Sequence, residues 1–87
     1  MERSEVLRKM TDICKDVFDD NNLVITEETT AADVEGWDSL THLSLVNELE
    51  ETYEVAFTLD EVTGSKSIGE LLNALMRHIE ERRNRIK

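Results

Sequence analysis

Near the start of the chain the apolar residues Val6, Met10, Ile13, Cys14 and Val17 recur at intervals of three and four. That spacing places them on one face of an amphipathic helix and predicts helix over 2–19. Asp20, Asn21 and Asn22 end it, because short polar side chains compete with the helical backbone for hydrogen bonds. A long loop to about Trp37 is expected next. In it Leu23, Val24 and Ile25 supply apolar anchors to the core, and Thr30 with Asp33 three residues later caps a single helical turn.

Past Gly36 the helical period resumes, with a second helix starting at Asp38 or Ser39. Its core stripe is Leu45, Leu49 and Tyr53, and Leu40 and Leu43 lie to one side. Val55, Phe57 and Leu59 alternate, but three apolar positions without a pairing partner make an extended loop rather than a strand. Thr58 with Glu61, and Ser67 with Glu70, match the capping-box pattern, which sets a short helix at about 59–63 and a longer one from 68, with Gly64 between them. The last helix carries Ile68, Leu71, Leu72, Leu75, Met76 and Ile79 on one stripe. It ends in Arg82, Arg83, Arg85 and Lys87, cations that suit a helix C-terminus. The fold expected is all-α: a small irregular four-helix bundle of three longer helices and one short third helix, with a long loop between helices one and two.

Eighty-seven residues give room for one modest core and exclude the large enzyme folds. No apolar run exceeds three residues, so neither a membrane span nor a signal-peptide core can be drawn, and a cytoplasmic protein is expected. The single cysteine, Cys14, forms no internal disulfide and reads as a small buried hydrophobe; no Cys/His spacing suggests zinc.

Charge changes the picture more. The net charge is −10, and residues 16–65 hold fourteen Asp and Glu but no Lys or Arg. Such a field repels phosphate backbones, which argues against nucleic-acid binding, and steers proteins bearing basic patches.

Ser39 is the candidate for chemistry. It lies where Gly36 hands over to a helix N-terminus, and free backbone N–H groups there, with the positive end of the helix dipole, stabilise a phosphate ester on its hydroxyl. The competing reading is that Ser39, or equally Asp38, is simply the N-cap. A hydrolase built from Asp38, Ser39 and His42 fails on geometry, since the acid and serine are adjacent and no Gly-x-Ser-x-Gly elbow exists. His42 is expected as an exposed helix residue or partner contact. An EF-hand beginning at Asp19 fails too: Leu23 and Val24 break the loop, and Thr30 stands where a bidentate Glu belongs.

The segment Gly36-Trp37-Asp38-Ser39-Leu40 resembles the prosthetic-group site of acyl carrier proteins, marked by Asp-Ser-Leu at the start of the second helix. The resemblance extends over nearly the whole chain, through Leu45–Glu51 and the Val55-Ala56-Phe57 stretch, and implies a single acyl-carrier-like domain over 1–87. It implies that a phosphopantetheinyl transferase attaches 4′-phosphopantetheine from coenzyme A to Ser39, with Asp38 near the metal-bound phosphates during transfer. The arm's thiol then carries acyl or aminoacyl groups as thioesters, and the protein is not itself the catalyst. By the same resemblance, Leu40, Leu43 and Val46 form an apolar partner surface, and Glu50 and Glu51 meet basic patches on acyl-loading and acyl-transferring enzymes. No resident metal is implied, and a freestanding monomer is expected.

Trp37 departs from the small residue usual in carriers of fatty acid synthesis, and Thr41 and Ser44 are neutral where those carriers tend to be acidic. Both departures point to a dedicated carrier in a specialised lipid, polyketide or amino-acid-loading pathway. The alternative is a noncovalent acidic helical interaction module without a prosthetic group.

Overall fold

Four helices run in the order α1 (Arg3–Val17), α2 (Ser39–Tyr53), α3 (Leu59–Gly64) and α4 (Ile68–Arg85) in a computed structural model that describes residues 2–85. α1 packs against α2 and α4, and α3 lies against α4. The three long helices meet in a core of Val6, Met10, Ile13 and Cys14 from α1, Leu45, Val46 and Leu49 from α2, and Ile68, Leu71, Leu72 and Leu75 from α4. Ile25, Val34 and Trp37 from the long loop complete it. Among the described residues no polar or charged side chain is buried, so the core rests on apolar packing alone. Burial pushes the Cys14 thiol up to about 12.

The expected elements all form, with shifted edges. α1 stops at Val17 because Asp19 turns left-handed (φ 52°), a conformation Asp tolerates, and the amides of Asp19 and Asp20 bond back to the carbonyls of Asp16 and Lys15. α2 ends the same way: Glu54 is left-handed (φ 55°) and Val55 N–H reaches the Glu50 carbonyl. Gly64 is the last residue of α3 rather than a spacer, and Ser65 to Ser67 make the connection. Tyr53, Met76 and Ile79 are only partly buried at the edge of the core. Lys87 lies outside the described residues.

Val24 corrects the expectation for the loop. It is 80% exposed, while Ile25 beside it is buried and Leu23 is partly so, because in an extended segment adjacent side chains point to opposite faces. Further on, the turn at Thr30 forms as expected: Asp33 N–H donates to the Thr30 carbonyl at 2.9 Å and Thr30 N–H to Asp33 Oδ2 at 3.0 Å.

The same loop completes the start of α4. The first amides of a helix have no partner within it; here Ile68 N–H donates to the Thr29 carbonyl and Gly69 N–H to the Glu27 carbonyl, both at 2.8 Å. An isolated bridge pairs Thr30 with Ser67. The approach at Gly69 is close enough that a Cβ there would lie 2.7 Å from the Glu27 carbonyl oxygen. Outside, Arg3 clamps the same junction, donating to both Glu27 carboxylate oxygens (2.9 and 2.6 Å) and to Asn73 Oδ1 (2.7 Å).

Candidate functional site

The N-terminus of α2 is capped by Asp38, not by Ser39. Asp38 Oδ1 accepts from the amides of Leu40 and Thr41, both at 3.0 Å, and Thr41 Oγ1 accepts from Asp38 N–H at 2.8 Å. This is a reciprocal capping box with threonine in the place usually taken by Glu or Gln. Thr41 Oγ1 also donates to the Gly36 carbonyl at 2.7 Å. That carbonyl is presented by a left-handed turn (φ 88° at Gly36), and no atom lies within 4 Å of where a Cβ would stand, so it is the backbone conformation and not space that calls for glycine. Hydrogen bonds from the Thr41 amide above all, then from the Thr41 hydroxyl and the Leu40 amide, hold the Asp38 carboxyl below the usual carboxylate range. With the cap taken, Ser39 is the exposed first residue of the helix, its hydroxyl uncommitted to the backbone and set over the positive end of the dipole.

Behind Ser39, Trp37 is nearly buried at 9% exposure. Its ring centroid lies 5.8 Å from Phe18 and 5.9 Å from His42, stacked on the latter at 21°. The indole Nε1–H bonds His42 Nδ1 at 3.1 Å, and His42 Nε2 lies 2.8 Å from the Val62 carbonyl oxygen. Since an indole N–H only donates, Nδ1 is the acceptor, and Nε2 carries the proton given to Val62. His42 is thus half-buried with both nitrogens bonded. This corrects its expected place as an exposed residue, and it removes any free base from the vicinity of Ser39.

These residues open onto a groove of ≈ 810 Å³ between the start of α2, the turn at Thr30–Ala32, and α3 with the Ser65–Lys66 connection; Trp37, Asp38, Ser39, His42, Leu43, Val62 and Thr63 complete its walls. Ser39 therefore stands at the rim of a space able to take a flexible arm.

The expected partner residues divide. Leu40 and Leu43 are exposed at 74% and 56% on the flank of α2 beside Ser39, and Glu51 is exposed further along. Val46, 4% exposed, belongs to the core with Leu45 and Leu49 and has no surface to offer. Glu50 is half-buried and turned inward, its Oε2 accepting the Phe57 amide at 2.9 Å, so it secures the 55–58 segment against the end of α2.

A second polar cluster escaped sequence reasoning. Glu61 Oε1 accepts from Thr58 N–H at 2.8 Å in the α3 capping box and lies 2.7 Å from His78 Nε2 on α4. His78 in turn packs edge-on against Phe57 (5.5 Å, 85°). Burial raises the Glu61 carboxyl, but the bonds from His78 and Thr58 outweigh it and hold the group below its ordinary value. The Thr58-to-Glu61 spacing announced the cap; nothing in the spacing announced His78, seventeen residues on. Among the described residues no group of three or more His, Cys, Asp or Glu is arranged to hold a metal ion, and no helix is long and apolar enough to cross a membrane.

Residues 8–75 match the family model of the phosphopantetheine attachment site. Among solved structures, the holo acyl carrier protein of Geobacter metallireducens, determined by NMR in solution, is 36% identical over 90% of each chain, with a TM-score of 0.84. The acyl carrier protein of Thermotoga maritima, at 22% identity, shares the fold over 93% of this chain and 94% of its own, with a TM-score of 0.82. Among curated proteins compared by sequence, none matches. A free hydroxyl at a helix start, an adjoining groove and this family match agree on covalent 4′-phosphopantetheine as the group carried, and the protein serves as a carrier rather than a catalyst. The chain belongs to the acyl carrier protein family.

Proposed function

We propose that Ser39 is the attachment residue and that this single domain shuttles acyl or aminoacyl thioesters among enzymes of a specialised lipid, polyketide or related pathway. The observation that carries the reading is the division of labour at the helix start. Asp38 supplies the cap, which leaves the Ser39 hydroxyl exposed and unbonded to the backbone it faces. In the transfer, the Ser39 hydroxyl gives its proton to a base of the transferase and its oxygen bonds the phosphorus that bears pantetheine; the pyrophosphate bond of coenzyme A breaks, and the nucleotide half leaves as adenosine 3′,5′-bisphosphate, keeping the bridging oxygen and its electron pair. The terminal thiol of the attached arm then holds the acyl group as a thioester.

Partner enzymes meet the flank of α2, where Leu40 and Leu43 supply apolar contact and Glu51 supplies charge for a basic patch. Docking of this kind, small in area and steered by charge, suits a carrier that must leave each enzyme in turn. The buried ring of Trp37 and the neutral Thr41, committed to the capping box, support a role apart from the carriers of fatty acid synthesis. Function as a monomer in the cytoplasm fits the same reading.

Intact mass before and after incubation with coenzyme A and a promiscuous phosphopantetheinyl transferase tests it, with fragmentation to locate the added group. One phosphopantetheine on Ser39, and none on Ser39→Ala, is the expected result. Equal loading of the alanine variant overturns the assignment, and no loading of the folded, unmodified wild type favours the noncovalent interaction module.

A further inference from the structure

The phosphodiester formed on Ser39 adds a negative charge to the most acidic part of the molecule. Residues 16–76 contain fifteen Asp and Glu and one Lys or Arg, Lys66. Lys66 lines the same groove as Ser39, on the connection from α3 to α4. Its backbone is fixed: the amide donates to Glu70 Oε2 at 3.1 Å, and Ser67 beside it bridges to Thr30. Its side chain is exposed.

The other polar side chains of the groove do not donate to an anion; the Thr30 hydroxyl, for one, is given to Asp33 Oδ2 at 3.2 Å. Both His42 nitrogens are engaged, by Trp37 and by Val62. Thr63 Oγ1 donates to the Leu59 carbonyl (2.9 Å) and Ser65 Oγ to the Glu61 carbonyl (2.6 Å), so both hydroxyls present lone pairs. Asp38 is a carboxylate at the rim and repels. We infer that the Lys66 ammonium pairs with the phosphodiester on Ser39 and draws the arm into the groove, where the lone pairs of Thr63 and Ser65 face amide N–H donors of pantetheine. Lys66 is then a positioning residue for the arm. The pairing is a charge-assisted contact to a singly charged, solvent-facing group, so it weakens as salt rises.

The inference rests on Ser39 as the attachment residue, and the experiment separates the two. Wild type, Lys66→Ala, Lys66→Arg and the distant control Lys15→Ala are loaded with phosphopantetheine. Intact mass and fragmentation confirm a single group on Ser39, and circular dichroism confirms the fold. Failure of the wild type to load on Ser39 defeats the attachment reading itself, whereas a lysine variant that alone fails to load leaves that reading standing. On the loaded proteins the phosphodiester 31P resonance is followed from about 10 mM to about 1 M salt, over which the screening length falls from about 30 Å to about 3 Å.

The expected result is a low-salt 31P shift distinct from that of Lys66→Ala and converging on it at high salt. Lys66→Arg and Lys15→Ala should behave as wild type, and the Lys66 side-chain amine resonance should move between the apo and loaded forms. Identical 31P shifts in wild type and Lys66→Ala at low salt, with Ser39 fully loaded, overturn the inference.

Discussion

The indole N–H of Trp37 donates to Nδ1 of His42 across 3.1 Å while the two rings lie stacked, so one side chain of the loop fixes the tautomer of one on α2. Through the other nitrogen, His42 holds the Val62 carbonyl of α3 at 2.8 Å. α3 has no buried residue of its own, and this bond ties it to the helix that bears Ser39. Replacing His42 with phenylalanine keeps a ring over the indole but leaves the Trp37 donor without its acceptor, at a cost of about 1–3 kcal/mol. A lower urea midpoint and altered tryptophan emission are expected. An unchanged midpoint would show that the bond contributes nothing.

Gly69→Ala sets a methyl 2.7 Å from the Glu27 carbonyl oxygen, a backbone atom that cannot swing aside like a side-chain tip. Either the loop or the start of α4 must shift, and the expected loss is about 1–3 kcal/mol, as for an overpacked core. Hydrogen exchange should localise it. The amides of Ile68 and Gly69, which donate to the loop, should lose protection before those in the middle of α4.

Acid should act through Glu61. Its carboxyl binds protons less readily folded than unfolded, so in acid the unfolded chain takes up more protons. The stability from its ionised form is whole above the ordinary glutamate value of about 4.3 and is lost as pH falls through the lowered folded value. The slope of melting temperature against pH below that point should be shallower in Glu61→Gln than in wild type. Parallel slopes would assign the acid sensitivity to other groups.

Glu50 and Glu51 look alike in sequence but should part in experiment. Glu50→Lys removes the acceptor of the Phe57 amide and should cost about 1–3 kcal/mol of stability. Glu51→Lys should leave the melt unchanged and slow reactions with partner enzymes, more at low ionic strength than at high. Thermal melts paired with rates at two salt concentrations distinguish them. A destabilised Glu51→Lys, or a partner rate indifferent to salt, would contradict the assignment.

What could be read in advance was what lies within a few residues. The stripe Ile68, Leu71, Leu72 and Leu75, the capping box begun at Thr58 and the start of α2 all follow from short-range geometry, and all are present; at Ser67 only half of the expected box forms, since its hydroxyl accepts the Glu70 amide while the Glu70 carboxylate takes the Lys66 amide instead. Contacts between distant segments were not readable. His78 reaches Glu61, the Glu27 carbonyl reaches Gly69, and the Val62 carbonyl meets His42 from twenty residues away. The resemblance alone places Val46 on the partner surface; it lies beside Leu45 on the edge of the core stripe, and the packing of this chain turns it inward. The choice between Ser39 and Asp38 as cap was open as well. Either side chain reaches the same orphan amides, and only the geometry shows Asp38 taking them.

Cys14, sealed in the core with its thiol pushed up to about 12, has a consequence for the cargo. A thioester can pass to any thiolate that meets it, and near neutral pH this side chain is neither ionised nor reachable. An acyl group delivered to the arm therefore finds no rival sulfur on its own carrier, and intramolecular transthioesterification is closed off by packing. Counting reactive thiols on the native, loaded protein then counts unacylated arms and nothing else.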